Sequence, residues 1–205
     1  MLARRARTVG GVLLTGGTSR RMGTDKATMV VGHRSLAERV AARLQAVADP
    51  VVEVGQGVSG VDIVVSEAPP GGGPLAATLA GAEALWSAGC HGPILLVACD
   101  LPLVTVALLQ WLADVPGGSS VVPVVAGRLQ PLCARWSALD IAEARQAYRR
   151  GERSMRPLTA RPAVLLADER WWGSVSEPEG FADVDCPADL DRLRLEWRPG
   201  DTTPR

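Results

Sequence analysis

The run Pro93-Ile-Leu-Leu-Val-Ala-Cys99, ended at once by Asp100, constrains the fold more than any other stretch of the chain. It is apolar at every position, so both faces of the strand it forms must be covered. That is the condition of a central strand in a parallel sheet flanked by helices. Val9-Gly-Gly-Val-Leu-Leu14, Val51-Val-Glu-Val54 and Asp62-Ile-Val-Val-Ser66 are further strand candidates upstream. Between them lie helical signals. Ser35 is placed to N-cap a helix over about Leu36 to Ala46, with Leu36, Val40 and Leu44 on one face and Glu38, Arg39 and Arg43 on another. Further helices are expected over about Leu75 to Ser87, Val104 to Ala113 and Leu139 to Arg149, with a C-terminal one from Cys186 to Leu193. Later strands are expected at Ser120–Val125, Leu129–Ala134 and Val164–Ala167. Strand alternating with helix predicts an α/β chain, a three-layer sandwich around a mostly parallel sheet.

In such sheets ligands bind outside the carboxyl ends of the strands. Two unusual turns follow strands there. The first is Leu14-Thr-Gly-Gly-Thr-Ser-Arg-Arg-Met-Gly-Thr-Asp-Lys26. Glycines let the backbone approach a ligand and aim several N–H groups at an oxyanion, and Arg20, Arg21 and Lys26 add cations. Read from composition alone, the stretch is either a triphosphate cradle or a glycine turn with solvated arginines. It is not a Walker loop, since Lys26 follows Asp25 and not glycine. Gly71-x-Gly73-x-x-Ala76 fits the dinucleotide spacing, but the prolines before it point to a loop packed on a ligand or helix.

The second turn is Asp100-Leu101-Pro102. A carboxylate directly after a buried strand needs a partner. Mg²⁺ is one candidate, since it takes one or two carboxylates plus substrate oxygens; a helix N-cap is the other reading. Glu67, also near a strand end, is a second metal ligand or a loop charge. Cys99 reads as a core residue. The run Arg149-Arg150-Gly151-Glu152-Arg153-Ser154-Met155-Arg156 is either a helix end, where cations suit the macrodipole, or a seat for an anionic acceptor. Trp171-Trp172 reads as packing before it reads as a stacking platform.

Bulk properties narrow the classes. Lys+Arg and Asp+Glu both number 22 in 205 residues, which argues against a nucleic-acid-coating protein. The 4 cysteines lack metal-ligand spacing and are scattered, as suits a reducing cytoplasm. No apolar run approaches the roughly 20 residues that span a bilayer. The expectation is therefore a cytoplasmic protein with a basic extension over residues 1–8, one domain over 9–195 and a flexible tail over 196–205.

The opening turn resembles the signature LAGGxSxRMGxDK of the molybdenum cofactor guanylyltransferase family. Three further segments fall in that family's order: Pro70-Gly-Gly-Gly-Pro-Leu-Ala76 is similar to its PGxGPLAG loop, Cys99-Asp-Leu-Pro102 to its CDxP segment, and Asp183-Val-Asp-Cys-Pro-Ala-Asp-Leu190 to its (N/D)xxTPxDL element. The likeness covers about Val9 to Leu193. It implies a glycosyltransferase-A-like nucleotidyltransferase fold and transfer of GMP from GTP to molybdopterin, with Mg²⁺ as cofactor and pyrophosphate released. By position it implies nucleotide contacts from Leu14, Thr15, Gly16, Gly17, Lys26, Glu67, Gly73 and Asp100. Catalysis would rest on Lys26, Arg21 and Asp100, with Asp100 on the metal. Arg150, Arg153, Arg156, Gln130 and Asp185 would face the acceptor, and cofactor-assembly or molybdoenzyme partners would make transient contacts.

The chain departs from the pattern at Thr15, where the family has Ala, and at Ala68, where it often has Asp. It also departs at Cys186, where Thr is usual, and in lacking the family's Asn between Val51 and Gln56. The competing readings are a cytidylyltransferase acting on the same cofactor with CTP and a non-catalytic nucleotide-binding adaptor. The Gly16-Gly17 pair favours guanine over cytosine, and the intact Lys26 and Asp100 favour an enzyme over an adaptor.

Overall fold

The computed structural model of the protein describes residues 9–16, 25–68, 70–193 and 195. In chain order it contains β1 (Gly10–Leu14), a hairpin of β2 (Val30–Val31) and β3 (Arg34–Ser35), α1 (Leu36–Val47), β4 (Val51–Val54), β5 (Ile63–Val65), α2 (Gly73–Ser87), β6 (Ile94–Ala98), α3 (Val106–Asp114), β7 (Val121–Val125), β8 (Arg128–Leu129), β9 (Cys133–Trp136), α4 (Ala138–Arg149), α5 (Arg156–Thr159), β10 (Leu165–Ala167), α6 (Glu169–Trp172) and α7 (Pro187–Arg192). The expected basic extension and the expected tail over 196–205 lie outside the described residues.

The main sheet runs β10-β7-β9-β6-β1-β4-β5, with β8 paired to β7. Every neighbouring pair on that path is parallel except the two made by β9. β6 is fully buried between β1 and β9, as its unbroken apolar run requires. One core layer packs α1, α3 and α6 residues such as Leu44, Leu109 and Trp172 on Leu13, Leu95 and Val97. The other packs α2 and α4 residues such as Leu85 and Ile141 on Val12, Leu96 and Val52. This is the three-layer α/β sandwich expected from the sequence.

Two glycines at the start of β1 set how closely the layers approach. A Cβ on Gly10 would lie 2.8 Å from Leu85 of α2, and one on Gly11 2.9 Å from Leu44 of α1. Both helices therefore press on the strand where a side chain would hold them off.

Ser35 does cap α1, and Glu38 completes a full capping box, its Oε2 accepting the Ser35 N–H at 2.7 Å. The stretch Leu129–Ala134 is not one strand. It divides into β8 and β9 at a turn over 130–132, closed by the Cys133 N–H on the Gln130 carbonyl at 3.1 Å, while Ala126 and Gly127, both at positive φ, fold β8 back on β7 in a two-residue hairpin. Trp172 is buried and packs edge-on against Phe181, with ring centroids 4.9 Å apart, whereas Trp171 is exposed. Among the described residues no helix is long and apolar enough to cross a membrane.

Candidate active site

The site is built on the rim formed by the carboxyl ends of β1 and β6, which are paired in register from Gly10↔Ile94 to Leu14↔Ala98. The Cys99 N–H donates to the Leu14 carbonyl at 3.0 Å, so the two turns leave the sheet side by side. The described chain resumes at Asp25. That side chain accepts the Ala27 N–H at 3.0 Å and opens the short 3-10 helix Lys26–Thr28. Met29 and Val31 then join Leu36, Val184 and Leu190 in a small separate core. This core clamps the β2–β3 hairpin to α7, and so delivers the Asp183–Asp185 segment to Lys26.

The Val184 N–H donates to the Asp100 carbonyl at 2.9 Å, which fixes that segment beside the β6 turn. Lys26 bridges the two: its Nζ lies 3.6 Å from Asp100 Oδ2 and is hydrogen-bonded to Asp185 Oδ1. Asp189, in the first turn of α7, accepts the Asp185 and Cys186 N–H groups at 2.8 and 2.9 Å. Those bonds hold its pKa down at about 2 and lock the turn that presents Asp185.

Three acidic residues thus surround one lysine. Burial disfavours the Lys26 ammonium, but the Asp185 hydrogen bond and the charges of Asp100, Asp185 and Asp183 outweigh it, and its pKa is raised. Burial also raises the pKa of Asp100; Lys26 opposes this, and Asp183 and Asp185 add to it. The Asp100 side chain keeps 28% of its surface exposed, so it is reachable from the rim. The alternative in which Asp100 caps the next helix is overturned, because α3 starts at Val106 and its cap is Thr105, whose side chain accepts the Leu108 N–H at 3.1 Å. Cys99 is buried, and burial pushes its thiol far above the usual range, as befits a core residue.

Other residues singled out in the sequence also reach this rim. Leu14, Thr15 and Gly16 close β1, with the Thr15 and Gly16 N–H groups donating to the Val54 carbonyl at 3.0 and 3.2 Å. Gly17 and Arg21 lie outside the described residues, as does Arg20. Glu67 accepts the Gly71 N–H at 2.7 Å, which makes it a tie across the Pro70–Gly72 loop. Gly73 opens α2 at φ +85°, where a Cβ would meet the Arg153 carbonyl at 3.1 Å. The glycine loop therefore packs on the basic segment.

Within that segment Arg150 is the C-cap of α4 and Arg156 opens α5. Arg153 lies 4.2 Å over the Tyr148 ring and donates to the Tyr148 and Glu152 carbonyls at 3.0 and 2.8 Å, a helix-end role. Gln130 sits in the turn before β9, its N–H on the Pro123 carbonyl at 2.9 Å. Asp185, grouped from sequence with the acceptor residues, is in direct contact with Lys26.

One residue of the site escaped sequence reasoning. Glu53, in β4, has no exposed surface and accepts from five groups. Thr15 Oγ1 donates at 2.6 Å, the Gly57, Val58 and Ser59 N–H groups at 2.8, 3.0 and 2.9 Å, and Ser59 Oγ completes the set. Burial works to raise its pKa, yet the hydrogen bonds from Ser59, Thr15 and Val58 hold it below the usual carboxylate value. The signal was a single charge inside an apolar run, Val51-Val-Glu-Val54.

Comparison with known proteins agrees with the geometry. A profile of the MobA-like NTP transferase domain matches residues 11–164. A probable molybdenum cofactor guanylyltransferase of Opitutus terrae is 34% identical, over 92% of this chain and 96% of its own. A molybdenum cofactor guanylyltransferase of Cereibacter sphaeroides is 31% identical, over 89% and 93%. Among solved structures, the molybdopterin-guanine dinucleotide biosynthesis protein A of Archaeoglobus fulgidus superposes with a TM-score of 0.72 at 22% identity, covering 89% of this chain and 95% of that one. The protein is a nucleotidyltransferase. More narrowly, it belongs to the MobA-like NTP transferase family, within which its named relatives are molybdenum cofactor guanylyltransferases.

Proposed function

We propose that the protein transfers GMP from GTP to molybdopterin, releasing pyrophosphate and forming the guanine dinucleotide cofactor. The observation that carries this reading is Lys26 held between Asp100 and Asp185 on the rim where the glycine turn leaves the sheet. The relatives named molybdenum cofactor guanylyltransferase supply the substrate class.

The donor set fits a divalent cation completed by substrate. Asp100, Asp185 and Asp183 carry more negative charge than Lys26 neutralises. Among the described residues no three acidic, His or Cys side chains form a ready-made metal cage. A site with one or two protein carboxylates is what Mg²⁺ uses when phosphates fill the remaining positions. Asp100, with Asp185 beside it, would hold the ion, which supplies charge neutralisation at the phosphate oxygens.

The chemistry asked of the chain itself is positioning and electrostatics. An oxygen of the acceptor's terminal phosphate attacks the α-phosphorus of GTP, a new P–O bond forms, and the bond to the bridging oxygen of pyrophosphate breaks. A phosphate monoester is already anionic at neutral pH, so no general base is required. Lys26, kept protonated by its acidic neighbours, offsets the charge that grows on the leaving pyrophosphate. The resemblance to the family's glycine-rich signature supports a role for this segment in orienting the triphosphate.

The test is to incubate the purified chain with Mg²⁺, molybdopterin and each labelled nucleoside triphosphate in turn, then weigh the product. A guanine dinucleotide formed from GTP, with pyrophosphate, is the expected result. Product from CTP alone transfers the reading to the cytidylyltransferase, and no product with any triphosphate removes it.

A further inference from the structure

Away from Lys26 and Asp100, a cavity of about 410 Å³ opens between the β2–β3 turn and α1, lined by Gly32, His33, Arg34, Arg39, Ala42 and Arg43. Its lining holds three guanidinium groups and an imidazole, and no carboxylate. Arg39 and Arg43 stand one helical turn apart, a spacing at which like charges repel. Among the described residues no carboxylate forms an ion pair with Arg34, Arg39 or Arg43, whereas Arg145, Arg161, Arg170 and Arg192 each have at least one.

The two helix arginines are nonetheless held in place. Arg39 Nη2 donates to the Val31 carbonyl and Arg43 Nη1 to the Pro102 carbonyl, each at 2.5 Å. Carbonyls orient a guanidinium without cancelling its charge. Burial, together with the charge of Arg39, pulls the Arg43 pKa below its usual value, so the Arg43 charge is held at a cost. Arg39 Nε is buried and has no hydrogen-bond partner among the described residues. Gly32, at φ +67° in the first position of the two-residue hairpin turn, brings backbone close to the same guanidinium; even a Cβ there would lie 3.6 Å from Arg39 Nη2.

We propose that this cavity is a second anion site, taking a di- or triphosphate group on Arg34, Arg39 and Arg43. Guanidinium forks match phosphate oxygens in pairs, and three cations, two of them held in place, suit a polyanion better than a single phosphate. The site is not isolated from the rim. Arg43 grips the carbonyl of Pro102, in the turn that begins at Asp100, so an anion engaging Arg43 pulls on the residue that holds this turn.

The experiment is calorimetric titration of the full chain carrying Lys26→Ala, which weakens phosphate binding at the rim, with inorganic pyrophosphate, inorganic phosphate and GDP, all without divalent metal. One pyrophosphate site per chain is expected, at least tenfold tighter than for inorganic phosphate. Arg34→Glu, a change at an exposed side chain, should weaken it at least tenfold, as should Arg39→Ala. Circular dichroism checks that both variants are folded, and the Arg34 variant carries the test if the other is not. GDP binding as pyrophosphate does identifies free polyphosphate as the ligand; GDP binding much tighter identifies a nucleotide. Both results support the site. Absence of pyrophosphate binding in the Lys26→Ala chain, or binding indifferent to Arg34→Glu, overturns it. Guanylyl transfer is not read in this assay, so the proposal and the catalytic reading fail separately.

Discussion

Two carboxylates stand at the same rim on opposite sides of β1, and they are held in opposite ways. Glu53 on the β4 side is sealed from solvent and satisfied by five donors, which favour its charged form. Asp100 on the β6 side keeps part of its surface open, shares one lysine with Asp185, and is pushed towards its neutral form by burial and by its acidic neighbours. A carboxylate with every lone pair occupied can only organise what surrounds it. One left short of positive charge is ready to accept a cation or a ligand bearing one. On the proposed function, the contrast separates a half of the site that shapes the loops from a half that would meet substrate.

Under that division, substitutions on the two sides should fail in different assays. The largest effect is expected at Lys26→Ala and Asp100→Asn. Each should lower the rate of pyrophosphate release by on the order of 10²–10³, with the unfolding midpoint close to that of the parent. Near-normal turnover in either would remove that residue from the chemistry. Next comes Glu53→Gln, which loses a buried charge and leaves several N–H groups poorly paired. It should cost about 3 kcal/mol in urea unfolding.

The same residue makes a pH prediction. Its folded pKa lies below its ordinary value of 4.5, so its stabilisation is complete above that pH and fades as pH falls through the lower folded value. The parent should therefore lose stability more steeply than Glu53→Gln on acidification below about pH 4.5. Parallel curves would show that Glu53 is not the charged brace described here. The smallest effect is expected at Thr15→Val, which removes one of the five donors to Glu53. It should cost about 1 kcal/mol in the same unfolding experiment, with turnover reduced less than tenfold.

The layered fold could be read from the chain because its evidence is local. An apolar run such as Ile94–Ala98 can only be covered on both faces, and a Ser35 three residues before Glu38 announces a helix start. The meeting of Lys26 with Asp100 followed from strand ends sharing a rim. What escaped depended on partners distant in sequence. Glu53 reads as an interruption in a short strand until Thr15, 38 residues away, and the 57–59 backbone close on it. Asp185 groups with the acceptor residues on sequence because nothing in its own segment reveals that Met29 and Leu190 share a core and bring Lys26 to it. The short helices α5 and α6 span too few residues to show a period. Thr15, a departure from the family's Ala, gains a reason in the structure: it supplies a donor to a carboxylate that needs one.

The reversed strand β9 has a consequence for how such a protein can change. Because β9 runs against β6 and β7, the chain from Ala126 to Leu132 emerges and re-enters at the rim where β1 and β6 end, stitched to the sheet where the Ala98 N–H meets the Leu132 carbonyl at 2.9 Å. This finger can be lengthened, trimmed or re-lettered without disturbing the β1–β6 seam that carries Lys26 and Asp100. On the proposed function, a lineage could thus keep its donor chemistry fixed while drifting in what it accepts.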